Sequence, residues 1–452
     1  MKARDANRLE AWDKKYVWHP FAQMREWREG PVVVIEKGEG NYLIDTRGRK
    51  YIDGVSSLWC NVHGHRVKEL DGALKRQLGK IAHTTFLGLS NVPAINLAKR
   101  LVEIAPKGLT KVFYSDSGSA SVEVALKMAY QYWRQRGFKE KTTFLKLKNA
   151  YHGDTLGSVS VGGIGLFHEM YQPLLFNAYE AEAPYRYRDS FRGSERQYAE
   201  FCAKKIEAVL KKHHRKICAV VMEPLMQGAA GMLDQPKGYL ALVRRLTKKY
   251  NVLMIADEVA TGFGRTGKMF ACGHEKGAPD FLCAAKGLTA GYLPLSVTLT
   301  TEEIYKAFLG EYKDFKAFFH GHTYSANPLA CAAAIESLNL FRKNKVLSRL
   351  RGKIRLLSAE LSKLKNKKCV GDIRQAGFMA GIELVKNPKT KEPHPPGDRI
   401  GHKVILKARE KGVMIRPLGN VLVLMPPLSI TEAQLKTLCR VVAESIDDVI
   451  PS

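Results

Sequence analysis

The feature that most constrains the fold of this chain is an alternation of short apolar segments with longer helical segments between about residues 71 and 330. The apolar segments are at residues 111–114, 143–147, 218–222, 252–256 and 281–285. Nearly continuous apolar runs are typical of strands buried on both faces of a parallel sheet, with helices as the crossover connections. The pattern predicts an α/β fold with a mainly parallel sheet flanked by helices.

The two ends of the chain have a different pattern, in which short strand-like runs are mixed with helical segments. These runs are at residues 32–35, 42–45, 381–384, 413–416 and 421–424. They are typical of α+β structure. We therefore predict a large domain at residues 71–330 and a smaller α+β domain built from residues 1–70 and 331–452.

Composition argues against a membrane protein and a secreted protein, and it disfavours a nucleic-acid-binding protein. No apolar run approaches the roughly 18–20 residues of a membrane span, and the charged N-terminus lacks the apolar core of a secretion signal. The formal net charge of +28 could serve a nucleic-acid partner, but the basic residues are spread over helix-like segments and no nucleic-acid-binding motif is present. An anionic substrate or adaptation to high temperature explains the charge better. We expect no membrane and no nucleic-acid partner.

The cysteines indicate the compartment. Eight are scattered along the chain, with no CxxC pair and no zinc-ligand spacing. In a chain of this length they are typical of reduced, mostly buried thiols, so we expect a cytoplasmic protein without a metal site.

Polar side chains directly follow the apolar segments, at the strand ends where open α/β sheets bind ligands. Gly118 and Ser119 stand at the start of a predicted helix, where backbone N–H groups and a hydroxyl can hold a phosphate. A simple N-cap by Ser117 or Ser119 is the alternative. Tyr151 and His152 follow the second segment and can bracket a flat ring, although ordinary loop side chains would have the same pattern.

Two further strand ends hold opposite charges, Asp257 and Lys286. A buried carboxylate needs a cation or hydrogen bonds, and a buried lysine must lower its pKa, find a partner or form a covalent bond. Taken alone, each residue has an ordinary explanation, a salt bridge for Asp257 and a strand that reaches the surface for Lys286. Together with the phosphate-type turn and an aromatic ring, they match what pyridoxal 5'-phosphate requires. Lys286 then forms the Schiff base, and Asp257 pairs with the protonated pyridine nitrogen.

These residues belong to longer motifs through which almost the whole chain resembles the class III (ω-) aminotransferases of pyridoxal-phosphate fold type I. The motifs are residues 18–24 (WHPFAQM), 56–59 (SSLW), 62–64 (VHG), 116–119 (DSGS), 151–154 (YHGD), 255–267 (IADEVATGFGRTG), 320–323 (HGHT), 327–331 (NPLAC) and 415–417 (IRP). The first and last motifs are most similar to the branch that serves biotin biosynthesis. The resemblance implies amino transfer from S-adenosylmethionine to 8-amino-7-oxononanoate, which yields 7,8-diaminononanoate.

The resemblance also implies a role for individual residues around the cofactor. Gly118 and Ser119 bind its phosphate, and Tyr151 lies beside the ring and the substrate. Asp257 holds the pyridine nitrogen, and Lys286 forms the covalent bond. Lys286, Asp257 and Tyr151 are thus the expected catalytic residues.

Other positions are implied to bind the substrate or to come from a second subunit. His322 and Thr323, with the neighbouring Gly321, reach the phosphate and substrate from the partner, which makes the enzyme an obligate homodimer with shared active sites. Arg416 clamps the carboxylate of 8-amino-7-oxononanoate, a task suited to a guanidinium fork. The expected pocket residues are Phe21, Leu58 and Trp59.

Departures from the family pattern narrow the substrate. Glutamate-using relatives have an arginine where this chain has Val423 and a glutamate where it has Ala229. Without that arginine the α-carboxylate of glutamate lacks a partner, a loss of roughly 2–5 kcal/mol. This argues against ornithine, acetylornithine and 4-aminobutyrate aminotransferases.

The amino donor remains open between S-adenosylmethionine and lysine. Leu58, Phe21 and Leu418 stand where the best-known branch has tryptophan, tyrosine and phenylalanine. A second branch shares the Ser-Leu-Trp and Val-His-Gly-His motifs of this chain and includes members that use lysine.

Two other functions remain as alternatives. One is a class III aminotransferase that takes another ω-amine with pyruvate, against which Arg416 and the motif at residues 18–24 argue. The other is a basic nucleic-acid-binding protein on an inactive aminotransferase scaffold. It is disfavoured because the phosphate-type turn, Asp257 and Lys286 are all present.

Overall fold

The computed structural model describes residues 3–275 and 277–451. Its strands are β1 (Ile35–Glu39), β2 (Tyr42–Asp45), β3 (Lys50–Asp53), β4 (Leu109–Ser115), β5 (Thr143–Leu147), β6 (Tyr179–Ala181), β7 (Ile217–Met222), β8 (Met226–Gln227), β9 (Leu233–Asp234), β10 (Leu253–Asp257), β11 (Phe281–Ala284), β12 (Ser296–Thr301), β13 (Val370–Ala376), β14 (Met379–Asn387), β15 (Glu392–Pro393), β16 (Val413–Met414), β17 (Arg416–Leu418) and β18 (Val421–Leu424).

Its helices are α1 (Ala3–Tyr16), α2 (Met24–Glu29), α3 (Ser56–Trp59), α4 (Lys68–Leu78), α5 (Val92–Ile104), α6 (Gly118–Gln135), α7 (Leu156–Ser160), α8 (Gly165–His168), α9 (Glu195–His213), α10 (Tyr239–Lys249), α11 (Glu302–Lys306), α12 (Pro328–Lys343), α13 (Val346–Ser362), α14 (Ile400–Glu410) and α15 (Glu432–Val449). None of the described helices is long and apolar enough to cross a bilayer.

The largest sheet has seven strands in the order β4-β12-β11-β10-β7-β5-β6. The neighbouring pairs from β11 to β6 are parallel, and only β12 runs antiparallel to its neighbours β11 and β4. This confirms the predicted α/β fold with a mainly parallel sheet. All five predicted apolar segments are strands of this sheet, shifted by at most two residues at either end.

Strand β7 shows why these segments are apolar on both faces. Val220 and Met222 join a core cluster that also contains side chains of α9 and α10. Ala219 and Val221 join a different cluster, together with side chains of α6. Successive side chains of a strand point to opposite faces, so a sheet covered by helices on both sides requires apolar residues throughout.

Two smaller sheets contain strands from the ends of the chain. One has the order β1-β2-β3-β16 and so joins both ends, and the other has the order β13-β14-β18-β17, with β15 added beside β14. The predicted division into residues 1–70, 71–330 and 331–452 stays a prediction.

Two strand predictions near the chain ends were inaccurate. The run at 32–35 is a strand only from Ile35, where pairing with Asp45 begins. The run at 413–416 is divided between two sheets, because β16 pairs with β3 whereas β17 pairs with β18. Ile415, 2% exposed, is the buried residue at which the chain crosses from one sheet to the other.

Candidate active site

Lys286 lies at the carboxyl end of β11, where the chain enters a short 3-10 turn. Its φ of 40° is in the left-handed region, which non-glycine residues rarely adopt and which often occurs at functional sites. The side chain is partly buried, and its Nζ atom is 5.0 Å from the centroid of the Trp59 ring. Burial lowers the pKa of Lys286, although the carboxylate of Asp257 opposes this shift.

Asp257 is the last residue of β10 and is 4% exposed. Its Oδ2 atom is 2.7 Å from Nδ1 of buried His152, and its Oδ1 atom accepts a hydrogen bond from the N–H of Val259 at 3.0 Å. The other ring nitrogen of His152, Nε2, is buried and has no hydrogen-bond partner among the described residues. Buried polar atoms without partners are uncommon, and at a strand end they mark a place for a ligand.

The predicted phosphate site is the N-terminus of α6, which begins directly after β4. Ser117 is the N-cap, because its side chain accepts a hydrogen bond from the N–H of Ala120 at 3.2 Å. Gly118 and Ser119 therefore lie in the first turn, where backbone N–H groups have no partner within the helix. The Ser119 hydroxyl is 2.8 Å from the hydroxyl of Thr155.

Two glycines leave space at this helix terminus. A Cβ atom on Gly153 would lie 2.4 Å from Cβ of Ser119, and the φ of Gly153 is +116°. A Cβ atom on Gly118 would lie 2.7 Å from Cγ1 of Val259. Side chains at these two positions would collide with Ser119 and Val259, so glycine lets the segments that form the helix terminus pack closely against each other.

A second buried carboxyl group, Glu223, lines the same site and was missed from the sequence. Its two oxygens accept hydrogen bonds from the N–H groups of Tyr151 at 3.1 Å and Gly228 at 2.9 Å. Burial raises the pKa of Glu223 to about 7. Glu223 directly follows β7, so the rule that selected Asp257 and Lys286 at strand ends also selects this residue.

Tyr151 connects the site to two further aromatic rings. Its hydroxyl donates a hydrogen bond to Asp154 Oδ2 at 2.8 Å, and burial raises the pKa of Tyr151, so that the hydroxyl keeps its proton at neutral pH. The Tyr151 ring is 6.4 Å from that of Phe167, which lies 5.4 Å from the ring of Phe21. Phe21 thus reaches the site through Phe167, a contact that the sequence did not predict.

Most of these groups line one cavity of about 670 Å³. We call it the strand-end cavity. It brings together Lys286, Asp257, Tyr151 and Trp59 with the phosphate-type turn at residues 117–119. Most of the residues predicted to bind the cofactor or to take part in catalysis therefore line the same cavity.

Other predicted residues lie outside the lining of this cavity. The side chains of Phe21 and Leu58 are 63% and 51% exposed. Arg416 is exposed at the start of β17 and pairs in register with Val423. Their predicted contacts with a substrate stay predictions.

The predicted partner-subunit residues Gly321, His322 and Thr323 are exposed on the loop before α12. Nδ1 of His322 is 3.0 Å from Oδ1 of Asp116, a residue at the edge of the strand-end cavity of the same chain. Their contribution to a second subunit's site stays a prediction.

The described residues fit pyridoxal 5'-phosphate. The helix terminus with its two glycines suits a phosphate, Asp257 suits a protonated ring nitrogen, and His152 offers a buried imidazole beside them. Lys286 supplies an amine with a lowered pKa in the same cavity.

This fold and this site define a class of protein. The sequence profile of the family described as Aminotransferase class-III matches residues 24–446. The chain belongs to the class-III aminotransferases and is a transaminase that depends on pyridoxal 5'-phosphate.

Particular relatives are similar over nearly the full length. An adenosylmethionine-8-amino-7-oxononanoate aminotransferase from Aquifex aeolicus is 55% identical, with 95% of each chain covered. The crystal structure of the enzyme of that name from Methanocaldococcus jannaschii is 50% identical and has a TM-score of 0.93, with 98% of this chain and 99% of that chain covered. An (S)-enantioselective omega-transaminase from Thermomicrobium roseum is 32% identical, with a TM-score of 0.95 and 100% of both chains covered.

Proposed function

We propose that the protein transfers an amino group from S-adenosylmethionine to 8-amino-7-oxononanoate and so makes 7,8-diaminononanoate for biotin biosynthesis. The observation that carries this proposal is the identity of 50–55% over at least 95% of the chain to relatives named for that reaction. The omega-transaminase of known structure has a similar fold but lower identity, 32%. The fold is therefore common to several substrates, and the substrate is argued from the nearer relatives.

The residues of the strand-end cavity have separable tasks in this reaction. When bound, pyridoxal 5'-phosphate supplies temporary storage of the amino group and a ring that takes up negative charge. The N-terminal turn of α6 would bind its phosphate, and Asp257 would keep a proton on its ring nitrogen. His152 holds the Asp257 carboxylate in place through the 2.7 Å contact.

Lys286 Nζ is the group that moves protons. Burial lowers its pKa, so a larger fraction of the amine is neutral near pH 7 than for an exposed lysine. A neutral amine can accept a proton from the carbon of the donor and return it later. Trp59 lies over this amine and limits the access of water to it. Because the amino group is stored between two half-reactions, we expect ping-pong kinetics.

We also propose that the enzyme is a homodimer. Leu87, Phe319 and Tyr324 are 89%, 75% and 60% exposed. They lie on adjoining segments, because the ring of His83 is 4.8 Å from that of Tyr324. Exposed large apolar side chains on neighbouring segments are typical of a surface that another protein covers. A second copy of the chain would cover them and bring the loop with His322 to the shared site.

The proposed location is the cytoplasm. None of the eight cysteines, all of which are described, forms a disulfide, and seven of them are buried. Free buried thiols are usual in a reducing compartment.

The test of the proposed reaction is the absorbance spectrum of the cofactor-loaded protein during addition of one donor. We expect the band of the lysine-bound cofactor to bleach when S-adenosylmethionine is added and to return when 8-amino-7-oxononanoate follows. If only lysine bleaches the band, the product stays and the donor is lysine, as the Leu58 motif allows. If neither donor bleaches the band, the substrate assignment is wrong, and only the assignment to the class-III aminotransferases stands.

A further inference from the structure

Arg265 is a buried cation outside the lining of the strand-end cavity. It is 1% exposed, and no carboxylate among the described residues forms an ion pair with it. Burial lowers its pKa to about 10. A buried guanidinium without a carboxylate is costly unless its donors are satisfied by other oxygens. The role of Arg265 must therefore be sought in the oxygen atoms to which it donates hydrogen bonds.

Those contacts join two distant parts of the chain. Nη1 of Arg265 donates to the carbonyl oxygens of Met425 at 3.4 Å and Pro426 at 2.6 Å. Nη2 donates to Ser56 Oγ at 2.8 Å and to the carbonyl oxygen of Asn61 at 2.7 Å. The Ser56 hydroxyl in turn donates to the Met425 carbonyl at 2.7 Å. One fork of donors thus holds both ends of a turn at residues 56–61.

The 56–61 turn is strained. Ser56, Ser57 and Trp59 have φ values of 53°, 61° and 65°, all in the left-handed region. Each such residue costs of the order of 1–3 kcal/mol and persists only where its surroundings hold it. Arg265 binds the turn on one side, and on the other the Asp53 carboxylate accepts hydrogen bonds from the Ser57 N–H at 2.8 and 2.9 Å.

This turn carries residues that face the active site. Trp59 lies over Lys286 and lines the strand-end cavity, as does Cys60. The other segment bound by Arg265 directly follows β18, which pairs with the strand that begins with Arg416. Arg265 therefore connects the indole wall of the cavity to the hairpin that bears Arg416.

We propose that Arg265 is a positioning residue that holds Trp59 at a fixed distance from Lys286 and from the Arg416 hairpin, and so sets the shape of the substrate pocket. The part of this inference that concerns the substrate rests on the proposed function. The part that concerns the 56–61 turn does not, because it can be measured without any substrate.

Cys60 provides that measurement. It is the one partly exposed thiol among the eight cysteines. The rate at which a soluble thiol reagent labels Cys60 in the cofactor-loaded protein reports how often the 56–61 turn opens. Cys60→Ser identifies the labelled site, because the fast phase of labelling disappears in that variant.

The test variant is Arg265→Lys, which keeps the positive charge but cannot make the four-donor fork. We expect Cys60 labelling about tenfold faster and the KM for 8-amino-7-oxononanoate about tenfold higher, with kcat changed less than about threefold, because the pocket wall moves while Lys286 stays in place. The matched control is Lys353→Met. It removes another partly buried cation that binds the same C-terminal segment, through the Leu428 carbonyl at 2.8 Å, and does not touch the turn. We expect wild-type labelling and KM for this control.

Ser56→Ala covers the case in which Arg265→Lys does not fold. It removes one acceptor of the fork, and we expect Cys60 labelling about threefold faster in a folded protein. Unchanged Cys60 labelling in Arg265→Lys would overturn the proposal, because Arg265 would then be only a structural group, even if the Tm is lower. If only Ser56→Ala folds, unchanged labelling in that variant has the same meaning. Faster labelling in a protein that does not use 8-amino-7-oxononanoate would support the role of Arg265 in holding the turn and refute the proposed substrate.

Discussion

The strand-end cavity and the outer segments that carry Phe21, Arg416 and the 320–323 loop differ in how their side chains are held. Within the cavity, Asp257 is bound by His152 and by a backbone N–H. In the outer segments, the Phe21 side chain is 63% exposed and Arg416 is also exposed. The groups that we propose for the chemistry are therefore fixed by one sheet in one chain, whereas the groups that we propose for substrate recognition are exposed in one chain. This comparison predicts large losses of kcat from changes in the cavity and smaller changes of KM from changes in the outer segments.

The largest effect is expected from Lys286→Ala. Removing both the covalent anchor and the proton-transfer group should lower kcat by at least about 10⁴-fold. Steady-state turnover and the visible absorbance band measure this directly. Lys353→Met, which changes another lysine with a lowered pKa, is expected to keep both. Full turnover in Lys286→Ala would contradict the assigned site.

A smaller loss of kcat is expected from Asp257→Asn, which keeps the shape but removes the charge beside the ring nitrogen. We expect kcat lower by about 10²–10³-fold with little change in KM. Asp280→Asn is the matched control, since Asp280 directly precedes β11, at the amino end of the strand and away from the strand-end cavity, and pairs with Arg244 at 2.6 and 2.8 Å. It should lower the Tm but not kcat. Equal kcat losses in both variants would mean that Asp257 is structural.

The pH dependence of stability should reveal Glu223. Its pKa is raised from 4.5 to about 7 in the folded protein, so between these values the folded state binds more protons than the unfolded state. Stability therefore falls as pH rises from about 4.5 to 7, by roughly 3 kcal/mol for this group. In Glu223→Gln the part of the fall that Glu223 contributes should be lost, so stability should fall less steeply between these pH values than in the wild type, as measured by urea unfolding at several pH values.

Glu258→Gln provides the control for this measurement. The pKa of buried Glu258 is also raised to about 7, mainly by burial. Glu258→Gln should therefore reduce the fall of stability with rising pH by a similar amount. Glu223, however, acts on the charge of Lys286, so only Glu223→Gln should also shift the pH at which the cofactor band changes. The same shift in both variants would show that Glu223 has no particular influence on the site.

The smallest effect is expected in the outer segments. Arg416→Lys should raise the KM for 8-amino-7-oxononanoate about tenfold and leave kcat nearly unchanged, because lysine cannot bind a carboxylate with two parallel hydrogen bonds. Arg440→Lys, on the exposed face of α15, is expected to change neither. A large drop of kcat in Arg416→Lys would contradict the claim that the outer segments affect substrate binding and the strand-end cavity affects the chemical step.

The convergence of Lys286, Asp257 and the phosphate-type turn on one cavity could be predicted from the sequence because it depends on local rules. A buried strand must be apolar, and a charged residue at its end is conspicuous, as Asp257 and Lys286 are. The same rule applied to β7 would have found Glu223. The phosphate-type turn was predicted for a related reason, since a helix that starts directly after a buried strand presents free N–H groups at the strand ends, although the N-cap at Ser117 is an equally local use of such residues.

The remaining features could not be predicted because they depend on long-range contacts. Arg265 binds Ser56 and Pro426, which lie more than 150 residues away on either side. The division of residues 413–416 between two sheets is likewise set by the partners β3 and β18, not by the run itself. The contact of Phe167 in α8 with Phe21 joins two segments that are far apart in the chain, so no local pattern predicts it.

The most direct test of the account is to identify the residue that carries the cofactor. The cofactor-loaded protein is reduced with borohydride, digested and examined by mass spectrometry. We expect the cofactor mass on the peptide that contains Lys286, and we expect it to be absent when Lys286 is replaced by alanine. The same mass on another lysine, or on none, would contradict the claim that the strand ends of one sheet assemble this active site.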